Sequence, residues 1–174
     1  MPSSKELRDK ITSLRNTRKI TSAMKLVSSA KIKRSTEAYT RSKDFAKSLQ
    51  GAVARLLQAR ESLPIDLLRQ AKIPRHITVV VLSSDKGLCG AFHSSQVRAL
   101  SQHAQENWPG LALRCLVIGR KAAEQLARRC PDLELDVRPA PPARAPFAWA
   151  MTLAQELANL FRSGRTDQVW LASN

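Results

Sequence analysis

The chain has 174 residues, a length typical of one compact domain or of one domain with an appendage. Its composition is 43% hydrophobic and 25% charged, which excludes a wholly disordered chain. No apolar run approaches the ~20 residues of a membrane-spanning helix, because the longest, around Ile77–Leu82, has only the length of a strand.

The charge balance is strongly basic. There are 29 Lys and Arg residues against 14 Asp and Glu residues, a net charge of +15. This excess predicts a partner with negative potential: a nucleic acid, an anionic lipid or an acidic protein surface. The three cysteines, Cys89, Cys115 and Cys130, contain no CxxC pair, so they favour a reducing compartment over a disulfide framework and indicate no zinc site.

The first third of the chain lacks helix breakers. Between Ser3 and Leu63 there is no proline, and the only glycine is Gly51. This composition predicts a single long helix over residues 3–58, with Ser3 and Glu6 spaced as a capping box at its start. At ~1.5 Å rise per residue the helix would be roughly 80 Å long, so it must project from any globular domain of this size.

Apolar residues recur along this helix at steps of three and four and form what we term the apolar seam. Its members are Leu7, Ile11, Leu14, Ile20, Met24, Val27, Ala30, Ala38, Phe45, Leu49, Ala52 (or Val53) and Leu56. The stripe is narrow and shifts phase near Thr17, which is typical of a coiled coil rather than of a helix lying on a core. The seam predicts a second long helix as partner, the alternative being an isolated charged helix.

The helix also carries most of the positive charge, since residues 1–50 hold 13 basic and 4 acidic residues. The cationic stripe comprises Arg15, Arg18, Lys19, Lys25, Lys31, Lys33 and Arg34. A nucleic-acid-binding module would use such a helix for phosphate contacts, but the nearby aromatic residues Tyr39 and Phe45 do not interleave with the cations. Insertion into an acidic protein cavity fits the pattern equally well.

Strand-like and helix-like segments alternate in the rest of the chain. Strands are predicted at His76–Ser83, Leu111–Ile118, 133–137 and Gln168–Ser173, and helices at Ala91–Gln105, Arg120–Arg129 and Pro146–Phe161. Apolar and acidic residues alternate in the third strand, which predicts that its acidic residues lie on an exposed face. We expect a Rossmann-like α/β domain with a mostly parallel sheet over residues 76–174, after a connector over 59–75.

The loop from Ser83 to Gly90 joins the first strand to the next helix. Its glycines and the helix N-terminus would suit a phosphate or dinucleotide, but neither GxxxxGK[ST] nor GxGxxG is present, so a tight turn is favoured. Cys89 beside Lys86 could be a reactive thiolate, although ordinary packing of Cys89 is the favoured interpretation. Asp85 has no carboxylate neighbour at a catalytic spacing, so we expect no general acid–base catalysis. The histidines have no metal-like spacing, so we expect no metal, and we expect no cofactor.

Two segments carry a resemblance to a known family. The first, Leu7–Lys31, contains LRDKI and RNTRKITSAMKLV, and the second is SDKGLCGAF at 84–92. They closely resemble the opening helix and the signature loop of the γ subunit of F-type ATP synthases. VIGRKA at 117–122 and QVWLASN at 168–174 are also similar to the family, so the resemblance covers essentially the whole chain.

The resemblance implies a non-catalytic rotor subunit of the central stalk. In this family the N- and C-terminal helices form an antiparallel coiled coil inside the α/β hexamer, and the α/β domain lies against the ε subunit and the membrane c-ring. The implied partners are therefore the α, β and ε subunits, the c-ring and a second long helix, with no nucleic acid. The implied location is peripheral, on the cytoplasmic, stromal or matrix side of an energy-transducing membrane, the bacterial inner membrane or thylakoid being favoured.

By resemblance, partner-binding residues lie on the long helix, where Met24 and Lys25 correspond to a contact with an acidic loop of a β subunit. The set is Arg8, Ile11, Arg15, Arg18, Lys19, Ile20, Met24, Lys25, Val27 and Lys31. The signature loop is Asp85, Lys86, Gly87, Leu88, Cys89 and Gly90. His93 stands where the family has Asn. Family members continue past Asn174 through the C-terminal helix, so either the chain is a fragment or truncated product, which we favour, or another polypeptide supplies the missing helix.

Two other functions follow from the residues alone. A nucleic-acid-binding module predicts an affinity that falls steeply with salt. A nucleotide-binding enzyme predicts saturable nucleotide binding at residues 84–90. Whatever the function, the uncovered seam predicts self-association or fraying of residues 3–58 in the chain alone.

Overall fold

A computed structural model describes residues 3–58, 66–142 and 146–173. The chain divides into two compact units, residues 1–63 and 64–174. The first part of the expected connector, residues 59–65, lies outside the described residues, and the remainder contains a short 3₁₀ helix at Asp66–Leu68.

The first unit contains one continuous helix, α1, from Ser4 to Gln58, which confirms the predicted long helix. The capping box is present, because the Ser3 N–H donates to Glu6 Oε2 at 2.7 Å and the Glu6 N–H donates to Ser3 Oγ at 3.3 Å. No residue of α1 is buried. Neither α1 nor any other helix in the described segments is both long enough and apolar enough to cross a membrane.

The second unit is an α/β fold. Strands β1 to β4 are His76–Leu82, Ala112–Ile118, Glu134–Arg138 and Gln168–Ala172, and helices α2 to α4 are Phe92–Asn107, Arg120–Arg129 and Pro146–Arg162. The strands form one sheet in the order β3-β2-β1-β4, and every pair of neighbours is parallel. The predicted fold class is confirmed, and each predicted strand and helix is present with its ends shifted by no more than one or two residues.

The core of this unit lies on both faces of the two central strands. On one face, Ile77 and Val79 of β1 pack with apolar residues of β2, α2 and α3. On the other face, Val80 and Leu116 are covered by apolar residues of α4. β1 is a continuous apolar run because it is an inner strand of a parallel sheet with helices on both sides.

The prediction that β3 exposes its acidic residues and covers its apolar ones is wrong at Asp136 and at Val137. Asp136 is half-buried, because its Oδ2 accepts hydrogen bonds from Arg138 Nη2 at 2.9 Å and from Arg114 Nη2 at 3.3 Å. Val137 is 47% exposed, although its register partner Val117 in β2 is fully buried. Since β3 is an outer strand, the alternation in its sequence does not decide which of its faces is covered.

Candidate functional site

The ten residues assigned to partner binding all lie on α1 between Arg8 and Lys31, and every one of them is exposed. α1 makes up nearly all of the described part of its unit and buries none of its own residues. Its apolar and its cationic positions are therefore presented together on one rod. Two surfaces on this rod differ in the chemistry that they offer.

The first surface is a cationic segment from Lys10 to Thr36, which contains eight basic residues and no acidic residue. The ion pair that α1 does contain, Arg41 Nη2 to Glu37 Oε2 at 3.9 Å, lies outside this segment. In the described part of the chain no carboxylate pairs with these cations. The segment thus presents a continuous positive potential that attracts an acidic protein surface or a nucleic acid.

The second surface is the apolar seam. Leu14, Ile20 and Val27 each expose more than half of their surface. Covering one such side chain contributes about 1.5–3 kcal/mol, so a second helix laid along the whole seam would gain far more than any single ion pair supplies. Helices in proteins are stabilised mainly by packing of an apolar face, and the described structure leaves the seam of α1 uncovered.

The signature loop follows β1 and is fixed through Asp85. Asp85 Oδ1 accepts a hydrogen bond from the Arg120 N–H at 3.0 Å, and Oδ2 accepts one from the Ala140 N–H at 3.4 Å. These donors, Arg120 first, lower the pKa of the Asp85 carboxyl below its usual value. Because Arg120 begins α3, the carboxylate occupies the helix end at which an anion is stabilised.

A close approach of two backbones explains the glycine that precedes α3. Gly119 has φ +98°, and a Cβ at this position would lie 2.6 Å from the backbone N of Ser84, so only glycine fits. Two hydrogen bonds hold the approach: the Ser83 N–H donates to the Ile118 carbonyl at 2.8 Å, and the Lys121 N–H donates to the Ser84 carbonyl at 3.1 Å. The first half of the loop is therefore a fixed joint between β1 and the start of α3.

His93, whose effect the sequence does not explain, supports the same loop. The side chain is buried, with Nδ1 2.9 Å from Ser83 Oγ and Nε2 3.2 Å from the Lys86 carbonyl oxygen. A carbonyl can only accept, so Nε2 carries a hydrogen and donates it to the Lys86 carbonyl. The Ser84 hydroxyl also donates to the Lys86 carbonyl, at 2.9 Å. His93 thus ties the start of α2 to the strand–loop boundary.

Gln96 of α2 lies at the crevice between the carboxyl ends of β1 and β4. Doubly wound sheets bind their ligands at a crevice of this kind. The strand order places the reversal of direction between β1 and β4, whose carboxyl ends border this crevice. Gln96 Nε2 donates to the carbonyl of Leu82, which ends β1, at 2.9 Å and to that of Ala172, which ends β4, at 3.1 Å. Gln96 thus links the carboxyl ends of β1 and β4 at this crevice. The carboxylate of Asp85 occupies the N-terminus of α3 and would repel a phosphate there, which disfavours the nucleotide-binding enzyme.

The tip of the loop, Lys86 to Gly90, is exposed. Leu88 is 94% exposed and has φ +62°, an uncommon value for a residue other than glycine. Cys89 is exposed as well, so the interpretation that it packs in the interior is wrong. The side-chain contacts that anchor the loop involve residues up to Lys86, and the backbone beyond that point turns outward through the Leu88 and Gly90 conformations.

The sequence identified the loop but missed the residues that hold it. Gln96 and His93 are three residues apart on the buried side of α2. A buried polar residue needs hydrogen-bond partners, so polar residues at these helical positions could have indicated tertiary contacts. Gly119 lies directly between an apolar strand and a helix, a place where glycine often marks a close backbone approach. Gln96 contacts Ala172 and Gly119 approaches Ser84, and both of these partners lie far along the chain. His93 contacts Ser83 and Lys86 across the loop before α2, and periodicity alone predicts none of these partners.

Comparison with known proteins adds an independent observation. A profile of the family described as ATP synthase matches residues 3–174. The chain is 37% identical to the ATP synthase gamma chain of Synechococcus elongatus over 98% of its length, which covers 54% of that relative. It is 33% identical to the chloroplastic ATP synthase gamma chain of Trieres chinensis over 95% of its length, which covers 45% of that protein.

A solved structure of the central stalk and c-ring of the mitochondrial ATP synthase of Tetrahymena thermophila contains a similar chain. The TM-score is 0.65 at 30% sequence identity, and the match covers 87% of this chain and 63% of that one. The chain spans about half the length of the curated relatives that it matches. The family profile, the identity to gamma chains and the similarity of fold agree with one another. The chain therefore belongs to the ATP synthase gamma-chain family.

Proposed function

We propose that this chain acts as a rotor subunit in the central stalk of a proton-translocating F-type ATP synthase. In this role it transmits rotation between the membrane ring and the catalytic α/β hexamer and catalyses no step itself. The observation that carries the proposal is the surface of α1. This helix of 55 residues has no buried residue, and it bears both the apolar seam and the cationic segment. Its likeness to gamma chains and to a central-stalk structure supports the same role.

Torque transmission requires a rod that does not bend at a hinge. α1 has no proline and only Gly51 as a weak point, so its hydrogen-bond ladder is continuous. A second long helix along the seam would stiffen the rod further by packing side chains between the two helices. We assign residues 1–58 to the shaft, 59–75 to the connector and 76–174 to the domain that contacts the ε subunit and the c-ring.

The cationic segment suits a bearing surface that faces acidic loops of the β subunits, with Met24 and Lys25 at the contact. Exposed ion pairs contribute only ~0–1 kcal/mol each, so no single orientation of the rod becomes a deep energy minimum. Charge complementarity can then centre the shaft in its ring without preventing rotation. The subunit would be peripheral, on the side of the membrane that carries the hexamer.

The test is co-expression with the α and β subunits of a relative such as Synechococcus elongatus, followed by affinity purification through the β subunit. We expect the chain to co-purify with the hexamer. Ile20→Asp and Val27→Asp in the seam should reduce recovery at least tenfold, because a carboxylate would then be buried against the partner. Leu26→Asp changes a residue of similar exposure on the same helix but outside the seam, and should reduce recovery less than twofold.

A chain that never joins the hexamer would contradict the proposal. The cationic segment gives one competing hypothesis a specific basis, namely nucleic-acid binding. That hypothesis predicts a mobility shift of DNA or RNA at moderate ionic strength that Ile20→Asp leaves unchanged. Seam-dependent recovery with α and β subunits and seam-independent binding to nucleic acid therefore separate the two functions.

A further inference from the structure

The tip of the signature loop, Lys86 to Gly90, has a backbone conformation that is costly for this sequence. Leu88 has φ +62°, in the left-handed region that residues other than glycine rarely occupy, and Gly90 follows with φ +59°. The Leu88 side chain is 94% exposed, so it gains little packing that would offset this conformation. Contacts elsewhere in the loop must therefore hold the backbone in it.

Such contacts are present at the first residue of the tip, where two side chains hold one carbonyl. His93 Nε2 lies 3.2 Å from the Lys86 carbonyl oxygen, and the Ser84 hydroxyl donates to the same oxygen at 2.9 Å. Two donors on one carbonyl fix the orientation of the peptide plane that joins Lys86 to Gly87. That orientation determines the direction in which the chain enters the left-handed turn at Leu88.

The other anchors of the loop act on its base. The carboxylate of Asp85 accepts from the N–H groups of Arg120 and Ala140, and these bonds fix the residue before the tip. Among the described residues, the side chains that hydrogen-bond to the backbone of the tip are those of His93 and Ser84. The base and the tip of the loop are therefore held by different groups.

His93 is itself held in place, so it can act as a rigid support. Its side chain is 5% exposed and lies in the first turn of α2, with Nδ1 2.9 Å from Ser83 Oγ directly after β1. The ring of Phe92 is in edge contact with the imidazole, the ring centroids 5.1 Å apart. The imidazole thus joins two points, the end of the strand through Nδ1 and the tip of the loop through Nε2.

We propose that His93 is a positioning residue of the signature loop and acts through the hydrogen bond from Nε2 to the Lys86 carbonyl. This bond selects the conformation in which Leu88 projects from the α/β unit. The inference rests on the proposed function only for its use in the complex. A tip that is already fixed loses less conformational freedom when the rotor meets another subunit.

The reach of the side chain separates this role from ordinary packing. Nε2 lies one bond further from the backbone than Nδ1, and the amide nitrogen of glutamine has the reach of Nε2 whereas the amide of asparagine has only the reach of Nδ1. His93→Gln should therefore keep the bond to the Lys86 carbonyl. His93→Asn, which introduces the residue of the family at this position, should keep a contact with Ser83 and release the tip.

The first test attaches a nitroxide spin label to Cys89, whose exposed thiol lies within the tip. The full chain carries Cys130→Ser, because Cys130 is partly accessible, while Cys115 is buried and should not react. Electron paramagnetic resonance then measures the motion of the label. His93→Asn should shorten the rotational correlation time of the label at least about twofold, because the tip then moves on the nanosecond scale. His93→Gln should keep most of the wild-type value.

The matched control is His103→Asn, which changes a histidine on the same helix that contacts Asn107 and Trp108. It should leave the motion of the label unchanged, and circular dichroism verifies that each variant is folded. The second test is the ring ¹⁵N spectrum of His93 near neutral pH. We expect Nε2 to carry a hydrogen, because the Lys86 carbonyl can only accept.

Three results would each overturn the proposal. They are equal label motion in His93→Asn and His93→Gln, a His93→Asn tip as immobile as that of the wild type, and a His93 ring without a hydrogen on Nε2. Both measurements use the chain alone. Their failure would leave the rotor function open, and a chain that never joins the hexamer would leave the role of His93 in the loop intact.

Discussion

The two units of the chain are stabilised in opposite ways. The α/β unit has its own core, in which Val81, Val117 and Leu126 are fully buried, and its loops are joined by hydrogen bonds between distant residues. α1 has 55 residues, about half as many as that unit, and none of them is buried. α1 therefore lacks the packed face that stabilises the α/β unit, and under the proposed function a partner helix would supply that packing.

Truncating an apolar side chain should affect the stability of the two units very differently. Leu126→Ala should lower the free energy of unfolding of the α/β unit by about 2–5 kcal/mol, because it leaves a cavity beneath α3. Ile20→Ala removes a similar apolar side chain that is 61% exposed on α1, and should change stability by less than about 0.5 kcal/mol. Urea unfolding followed by tryptophan fluorescence measures both. Equal losses would show that α1 shares a core with the α/β unit.

A smaller effect tests the fixed joint at the signature loop. Gly119→Ala should cost about 3 kcal/mol, because its Cβ would meet the Ser84 backbone and its positive φ strains any other residue. The matched control is Gly110→Ala, where φ is +74° but a Cβ would meet nothing within 4 Å, so only about 1 kcal/mol of backbone strain is expected. If both variants lose the same stability, the close approach of the two backbones has no energetic importance.

The smallest effect concerns the carboxylate that caps α3. The pKa of Asp85 is lowered in the folded chain from its usual 3.8, chiefly by the Arg120 N–H. Its contribution is therefore present above about pH 4 and is lost as the pH falls through the lower, folded value. Unfolding in urea between pH 7 and pH 3 should show a smaller acid loss for Asp85→Asn than for the wild type.

The control for this experiment is Asp132→Asn, which changes an exposed carboxyl without a hydrogen bond among the described residues. Its stability should follow the wild-type pH profile. An Asp85→Asn profile that also matches the wild type would show that the bonds to Arg120 and Ala140 do not stabilise the folded loop.

How far the sequence decides the structure differs between the same two regions. The length of α1 follows from local chemistry, namely the absence of proline, a single glycine and a capping box, and these signals need no tertiary partner. The inner strands β1 and β2 were also predictable, because burial on both faces requires a continuous apolar run.

The supports of the signature loop could not be predicted in the same way. Asp85 binds Arg120 and Ala140, which lie 35 and 55 residues away, and no local pattern encodes such pairs. The exposure of Val137 and the half-burial of Asp136 likewise depend on what covers an outer strand. For α1, the sequence and the structure agree on which residues are accessible, while the assignment of those residues to partner contacts stays a prediction.

Hydrogen–deuterium exchange can show whether α1 is a rod that a partner completes. In the isolated chain, kept dilute, we expect amides of residues 4–58 to exchange much faster than those of β1 and β2, because α1 has no packed face. In complex with the α and β subunits the same amides should become strongly protected, most of all along the seam. Protection of α1 that equals that of β2 in the monomeric chain, and does not rise on assembly, would contradict the account.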